Sequence, residues 1–229
     1  MRRTSGVLLV TVLAAALAAP AASSQSSDAS RLLPLGSEVF GLTYPQWDAV
    51  WGRTQAVTPV GAGRSLGLTR SGGRCGVQVG RVRLLPVSFN GLLTTRCTIR
   101  AGTFLVLPIT GYLASAERPA GLLAEVRTAF AAIERARLTV DGRVVRPSGH
   151  VVTTPAYRVN LPARNGLGVA PGPEWLLSRD YFAILSPPGI GIHTVTTLGV
   201  VDPPDQPRFS IGMTYRITVR AATGAGLTG

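Results

Sequence analysis

From residue 209 to 220, apolar and polar positions alternate without a break. Phe209, Ile211, Met213, Tyr215, Ile217 and Val219 stand against Ser210, Gly212, Thr214, Arg216, Thr218 and Arg220. A period of two over this length is a strand with one buried and one wet face. A slip of one residue would put six apolar side chains into water. The pattern predicts a sheet covered on one side, which favours antiparallel sandwich packing over a parallel α/β sheet. Residues 151–161, 181–185 and 191–198 read as further strands between Pro- and Gly-rich turns, as do 75–87, 92–99 and 103–109 earlier in the chain. Within the last of these, Phe104-Leu105-Val106-Leu107 is apolar throughout, the mark of a strand buried on both faces. Asp141-Gly142 lies between Leu138-Thr139-Val140 and Arg143-Val144-Val145. That dipeptide between β-branched runs predicts a two-residue hairpin turn with positive φ at both positions.

Two segments follow a helical period instead. Thr43 can cap a short helix with Pro45 in its first turn, and Tyr44, Trp47, Val50 and Trp51 recur at three- and four-residue spacing. Residues 119–136 predict a longer helix. Its apolar face is Leu122, Leu123, Val126, Phe130 and Ile133, with Glu125, Arg127, Glu134 and Arg135 elsewhere. Residues 58–74 are rich in Gly, Ser and Arg and read as a long loop. The expected fold is mainly β: an antiparallel β-sandwich, jelly-roll or immunoglobulin-like, with one short and one longer helix, forming a single domain over 40–221.

The N-terminal segment has a different pattern. Arg2 and Arg3 precede an uncharged apolar run over 7–19, and Ala19, Ala21 and Ser23 supply small residues for cleavage. This is the layout of a secretory signal peptide, expected over 1–22 and followed by a flexible linker over 23–39. The run is too short to span a bilayer, which needs about 20 residues. No later segment is apolar for long enough. The mature chain is therefore expected to be secreted or otherwise extracytoplasmic, without a transmembrane segment. Thr4-Ser5-Gly6 lack the bulky apolar residue of a twin-arginine signal, and no Cys follows the run to accept a lipid anchor.

Hydrophobic residues make up 45% of the chain and charged residues 15%, a globular composition. Two cysteines, Cys75 and Cys97, form an even and solitary pair, which predicts one disulfide in an oxidising compartment. Their spacing is not that of a Cys-x-x-Cys redox motif, and no His or carboxylate stands beside them to complete a zinc site. The formal net charge is +12, and every basic side chain is Arg. Such a surface attracts anionic partners, so an anionic ligand of the cell envelope is one class to consider. The Arg residues are scattered, however, and the run Arg74, Arg81, Arg83 has no stacking aromatic. Nucleic-acid binding is therefore not expected.

Catalytic motifs are sparse. Gly63-Arg64-Ser65-Leu66-Gly67 matches the nucleophile elbow G-x-S-x-G, but glycines surround it where a strand and a helix are needed. The chain's two His, His150 and His193, stand in no triad or metal motif. Gly166-Leu167-Gly168 and Gly189-Ile190-Gly191 lack the third glycine of a dinucleotide loop. No cofactor and no metal are expected. Glu174 and Asp180 flank Trp175 and Tyr181, and a sugar-cleaving site would combine carboxylates with aromatics in this way. Trp47, Trp51, Trp175 and Tyr181 are the candidate ligand-binding residues.

Several segments, in this order, resemble a family of secreted prokaryotic proteins of uncharacterised function. They are the helix YPQWDAVW, the Cys-led strand CGVQVGRVRLL, and RCTIRAGTFLVLPI with its Cys-Thr-x-x-Ala-Gly pattern. The hairpin LTVDGRVV, the strand YRVNLP, the Pro-Gly-x-x-x-His-Thr-Val turn in PPGIGIHTV and the final YRITV follow. The likeness spans roughly 40–220. The family's tryptophan cluster is denser, whereas here Gly52-Arg53 follows Trp51. The resemblance implies secretion, the disulfide and a β-rich fold, and names no activity. The expected function is a secreted, non-catalytic binding or envelope-associated domain. The alternative is a secreted hydrolase of an extracellular polymer.

Overall fold

The computed structural model describes residues 30–59, 75–89 and 91–221. Two helices, α1 (Tyr44–Val57) and α2 (Leu122–Ala131), accompany eleven strands among these residues. The strands are β1 (Val77–Val79), β2 (Val82–Leu84), β3 (Leu92–Arg100), β4 (Phe104–Ala116), β5 (Ile133–Val140), β6 (Arg143–Val145), β7 (Val151–Thr153), β8 (Tyr157–Leu161), β9 (Gly172–Leu185), β10 (Gly191–Val201) and β11 (Phe209–Arg220). One sheet has the order β1-β2-β4-β9-β7, with β8 also paired to β9; the other has the order β3-β11-β10-β5-β6.

The fold is mainly β and sandwich-like, but the sheets are mixed rather than purely antiparallel. β2 runs parallel to β4, and β3 runs parallel to β11. The cause is the turn at 100–102. It does not close a hairpin between β3 and β4; it carries the chain from one sheet to the other, so each strand meets a partner distant in sequence.

Between the sheets, Leu105, Leu107, Ile109, Ala183 and Leu185 meet Leu138, Val195, Met213, Tyr215, Ile217 and Val219. The Cys75–Cys97 disulfide sits in this core, with 5.0 Å between Cα atoms, and ties the segment before β1 to β3. The opposite face of the first sheet takes α1. Tyr44, Trp47 and Trp51 pack there on Val82, Leu84, Val106, Phe182 and Ile184. The apolar run 104–107 thus serves two cores, Leu105 and Leu107 on one side and Val106 on the other. The far halves of β4 and β9 are covered by α2, where Leu122 and Val126 meet Ala114 and Leu177.

α1 begins at the expected cap. The Thr43 N–H donates to Gln46 Oε1 at 2.8 Å, and Pro45 stands in the first turn. The Asp-Gly hairpin also forms as expected, with φ of 48° at Asp141 and 77° at Gly142 and Val140 opposite Arg143. Three expectations need correction. The helix over 119–136 ends at Ala131, because Ile133 already pairs with Val201 as the first residue of β5; the apolar period had joined a helix to a strand. Leu123 is exposed rather than on the buried face. On β11 the buried apolar residues begin only at Met213, and Phe209 is 40% exposed, because the strand runs past the core at that end.

Residues 30–39, read from the sequence as the end of a linker, lie against β9. Leu32 bridges to Leu185, the Leu33 N–H donates to Ile184 O at 2.9 Å, and Val39 is buried. Among the described residues, no helix is long and apolar enough to cross a membrane.

Candidate functional site

The buried face of α1 carries Tyr44, Asp48, Trp51 and Gln55, at spacings of four, three and four. That face places an acid between aromatics and presses it onto the first sheet. Asp48 is fully buried, and its Oδ2 accepts a hydrogen bond from Ser178 Oγ on β9 at 2.9 Å. The Ser178 N–H donates in turn to Thr154 Oγ1 at 2.9 Å. Asp180 lies two residues further along β9 and so on the same face. Its register partner on β4 is Gly111, and the Asp180 carboxyl fills the space where a Cβ on residue 111 would be. Tyr157 of β8 completes the cluster. Its hydroxyl rests on α1 where Gly52 has no side chain, and it has no hydrogen-bond partner.

Burial dominates the electrostatics. It raises Asp48 from its ordinary value of 3.8 to about 7, against the lowering effect of its hydrogen bonds to Ser178 and Asp180. Asp180 is raised well above the same ordinary value, first by burial and then by the charge of Asp48. The two carboxyls are close enough to hydrogen-bond to each other once one is protonated. Among the described residues, no donor faces Asp48 Oδ1. The Tyr157 phenol is pushed upward by burial and then by both acids, and stays neutral.

Asp180 also reaches a cleft of about 460 Å³, lined along one side by residues 108–115 of β4. The cleft exists because β4 outruns its neighbour. Pairing with β2 ends at Leu84 opposite Val106, and a bulge falls between Pro108 and Thr110. Beyond the bulge, among the described residues, only β9 pairs with β4.

The ladder fixes which backbone groups face away from β9. On β9, Ser178 and Phe182 turn their backbone groups away from β4, since Thr154 N–H donates to Ser178 O and Phe182 N–H donates to His150 O. Tyr181, Arg179 and Leu177 therefore bond to β4, opposite Thr110, Tyr112 and Ala114. The intervening Gly111, Leu113 and Ser115 direct N–H and C=O to the edge away from β9, where no strand among the described residues pairs with them. One wall of the cleft comes from Trp51 on α1 with Gly166, Leu167 and Val169 of the loop before β9. Phe89, Thr197, Ile211 and Gly212 form the other, on the side of the second sheet. Among the described residues, the ionisable ones lining it are Asp180 and Glu125. Glu125 accepts from the Tyr112 hydroxyl at 3.2 Å, and burial and then that carboxylate raise the Tyr112 phenol.

The four aromatic candidates do not come together. Trp47 is a core residue whose Nε1–H donates to Val39 O. Trp51 is 4% exposed, donates from Nε1 to Leu85 O at 2.8 Å, and is the one of the four that lines the cleft. Trp175 packs beside α2. Tyr181 stacks near Phe130, with 5.0 Å between ring centroids. Glu174 sits opposite Val159, and the acid that meets Asp180 is Asp48. His193 is buried, with Nδ1 on Asp141 Oδ2 at 2.8 Å and Nε2 on Gly189 O at 2.9 Å, and holds the β5–β6 turn to β10. His150 faces Leu33 O at 2.9 Å. Residues 63–67 lie outside the described residues.

Asp48 was not singled out from the sequence. The signal that could have found it is a charged residue on the face shared by Tyr44, Trp51 and Gln55. The open edge of β4 has no sequence signal, because it depends on where β2 stops. Among the described residues, no three His, Cys, Asp or Glu side chains gather to hold a metal ion. No family model, no curated protein and no solved structure matches the chain.

Proposed function

We propose that the chain is an exported, non-catalytic binding domain whose ligand sits in the cleft beside β4. The observation that carries this reading is the cleft itself. Its volume, mainly apolar lining and few aimed polar groups are those of a ligand site. The signal-peptide pattern and the disulfide agree with export. Hydrolysis is less well supported. A hydrolase needs two groups within reach of the scissile bond. Asp48 is fully enclosed, and the Asp180 carboxyl is folded over the Gly111 backbone, so the acid pair serves as a support beneath the cleft. The net charge draws the whole protein toward anionic surfaces. Inside the cleft the ionisable side chains among the described residues are acidic, which suits a neutral or basic ligand.

Nile red, a neutral apolar dye, tests the site. It should brighten on addition to the purified protein and shift the amide resonances of Leu113, Val169 and Ile211. Val169 is 40% exposed at the cleft, so Val169→Trp should close the site and abolish the signal without unfolding the chain. Dye binding elsewhere, or equal binding by Val169→Trp, would overturn the proposal.

A further inference from the structure

We infer that the ligand of this cleft is an extended polypeptide segment, uncharged or basic, that adds to the open edge of β4 as an extra strand. The inference rests on the cleft being the binding site and names what it binds. Gly111, Leu113 and Ser115 present N–H and C=O groups at every second residue, a repeat of about 7 Å. Another β backbone supplies acceptors and donors at that repeat, and a compact small molecule does not. Exposed edges are usually blunted by Pro, a bulge or charge. Here Pro108 and the bulge after it lie at the near end, where they stop β2 from extending. From Thr110 to Ser115 the strand has no Pro and no charged side chain.

The walls match the two faces of an added strand. Alternate side chains would meet Trp51, Leu167 and Val169 on one side and Phe89, Thr197 and Ile211 on the other. Glu125 gives the described lining its negative charge, which fits a basic side chain in the segment and disfavours an acidic one.

The test uses the full mature chain labelled with ¹⁵N and the peptide acetyl-Val-Thr-Val-Arg-Val-amide. Two analogues carry N-methyl groups on alternate peptide nitrogens, one set on each edge of the peptide. The parent should shift the Gly111, Leu113 and Ser115 amides and slow their hydrogen exchange at least tenfold. One N-methylated analogue should lose at least tenfold in affinity while the other binds like the parent, because only one edge faces β4. Replacing Arg by Glu in the peptide should weaken binding.

Equal binding by both methylated peptides would overturn strand addition while leaving the cleft as a site. So would Nile red binding without peptide binding at millimolar concentration. Failure of both probes would overturn the cleft as a ligand site and the inference with it. Slow exchange of the three amides in the free protein would mean that the edge is already paired, and would also overturn the inference. Tighter binding of the Glu peptide than of the parent would overturn the assigned charge preference.

Discussion

Gly111 and Asp180 face each other across the β4–β9 ladder, and the acid folds back over the glycine. A Cβ at residue 111 would stand 2.6 Å from Asp180 Cα, which is backbone and cannot swing aside. Gly111→Ala should therefore destabilise the fold by about 1–3 kcal/mol, the usual range for overpacking. Gly149 has nothing within 4 Å of an added Cβ, so Gly149→Ala is the control and should stay within about 0.5 kcal/mol of wild type. Urea unfolding of the two variants checks this; equal midpoints would mean that Asp180 does not occupy the Gly111 site.

The acid pair makes stability depend on pH in an unusual direction. An unfolded Asp releases its proton near 3.8, whereas folded Asp48 holds one to about 7 and Asp180 is also raised. Between those values the folded state binds more protons than the unfolded chain. The pair's contribution is thus fully present below about pH 4 and is lost as pH rises through 7. The melting temperature should be higher at pH 5 than at pH 8. Asp48→Asn removes one negative charge, keeps an oxygen for Ser178, and should flatten the curve. A wild-type curve that rises across this range, or an Asp48→Asn curve parallel to wild type, would contradict the raised acid pair.

Asp141 holds a turn and a buried histidine at once. Its Oδ1 accepts from Thr194 N–H at 2.7 Å, and its Oδ2 meets His193 Nδ1 at 2.8 Å. Asp141→Ala deletes both bonds and puts alanine at a φ of 48°. The expected loss is about 2–4 kcal/mol, from an unpartnered buried ring and backbone strain. Asn tolerates this backbone region, so Asp141→Asn should lose less. Urea midpoints of the two variants provide the measurement.

The disulfide should be complete in the oxidised protein, leaving no thiol to label in the denatured, non-reduced chain. It spans 22 residues of sequence. Replacing both cysteines by serine should lower stability by about 3 kcal/mol in the chain-entropy view. Calorimetry of the double variant against wild type measures it.

Local features of the chain were legible where dihedral preference or a short period decides the outcome. The Asp141-Gly142 turn needs positive φ at two successive residues, and few other dipeptides tolerate that. Thr43 and Pro45 mark the start of α1, and the alternation over 213–219 marks the buried side of β11. The end of α2 was not legible, because Ile133 satisfies the helical period as well as it satisfies pairing with Val201.

The sequence by itself determined a β-rich chain, its cystine pair, the start of α1, the Asp-Gly turn and the buried side of β11 from Met213 to Val219. These follow from local backbone preference, burial period and composition. Only the tertiary structure decided that β3 and β4 part into different sheets, that Asp48 meets Asp180, and that β2 stops pairing with β4 before Pro108. Each of those depends on which strand ends beside which, a long-range outcome of packing two cores against one sheet, and neither residue type nor spacing encodes it.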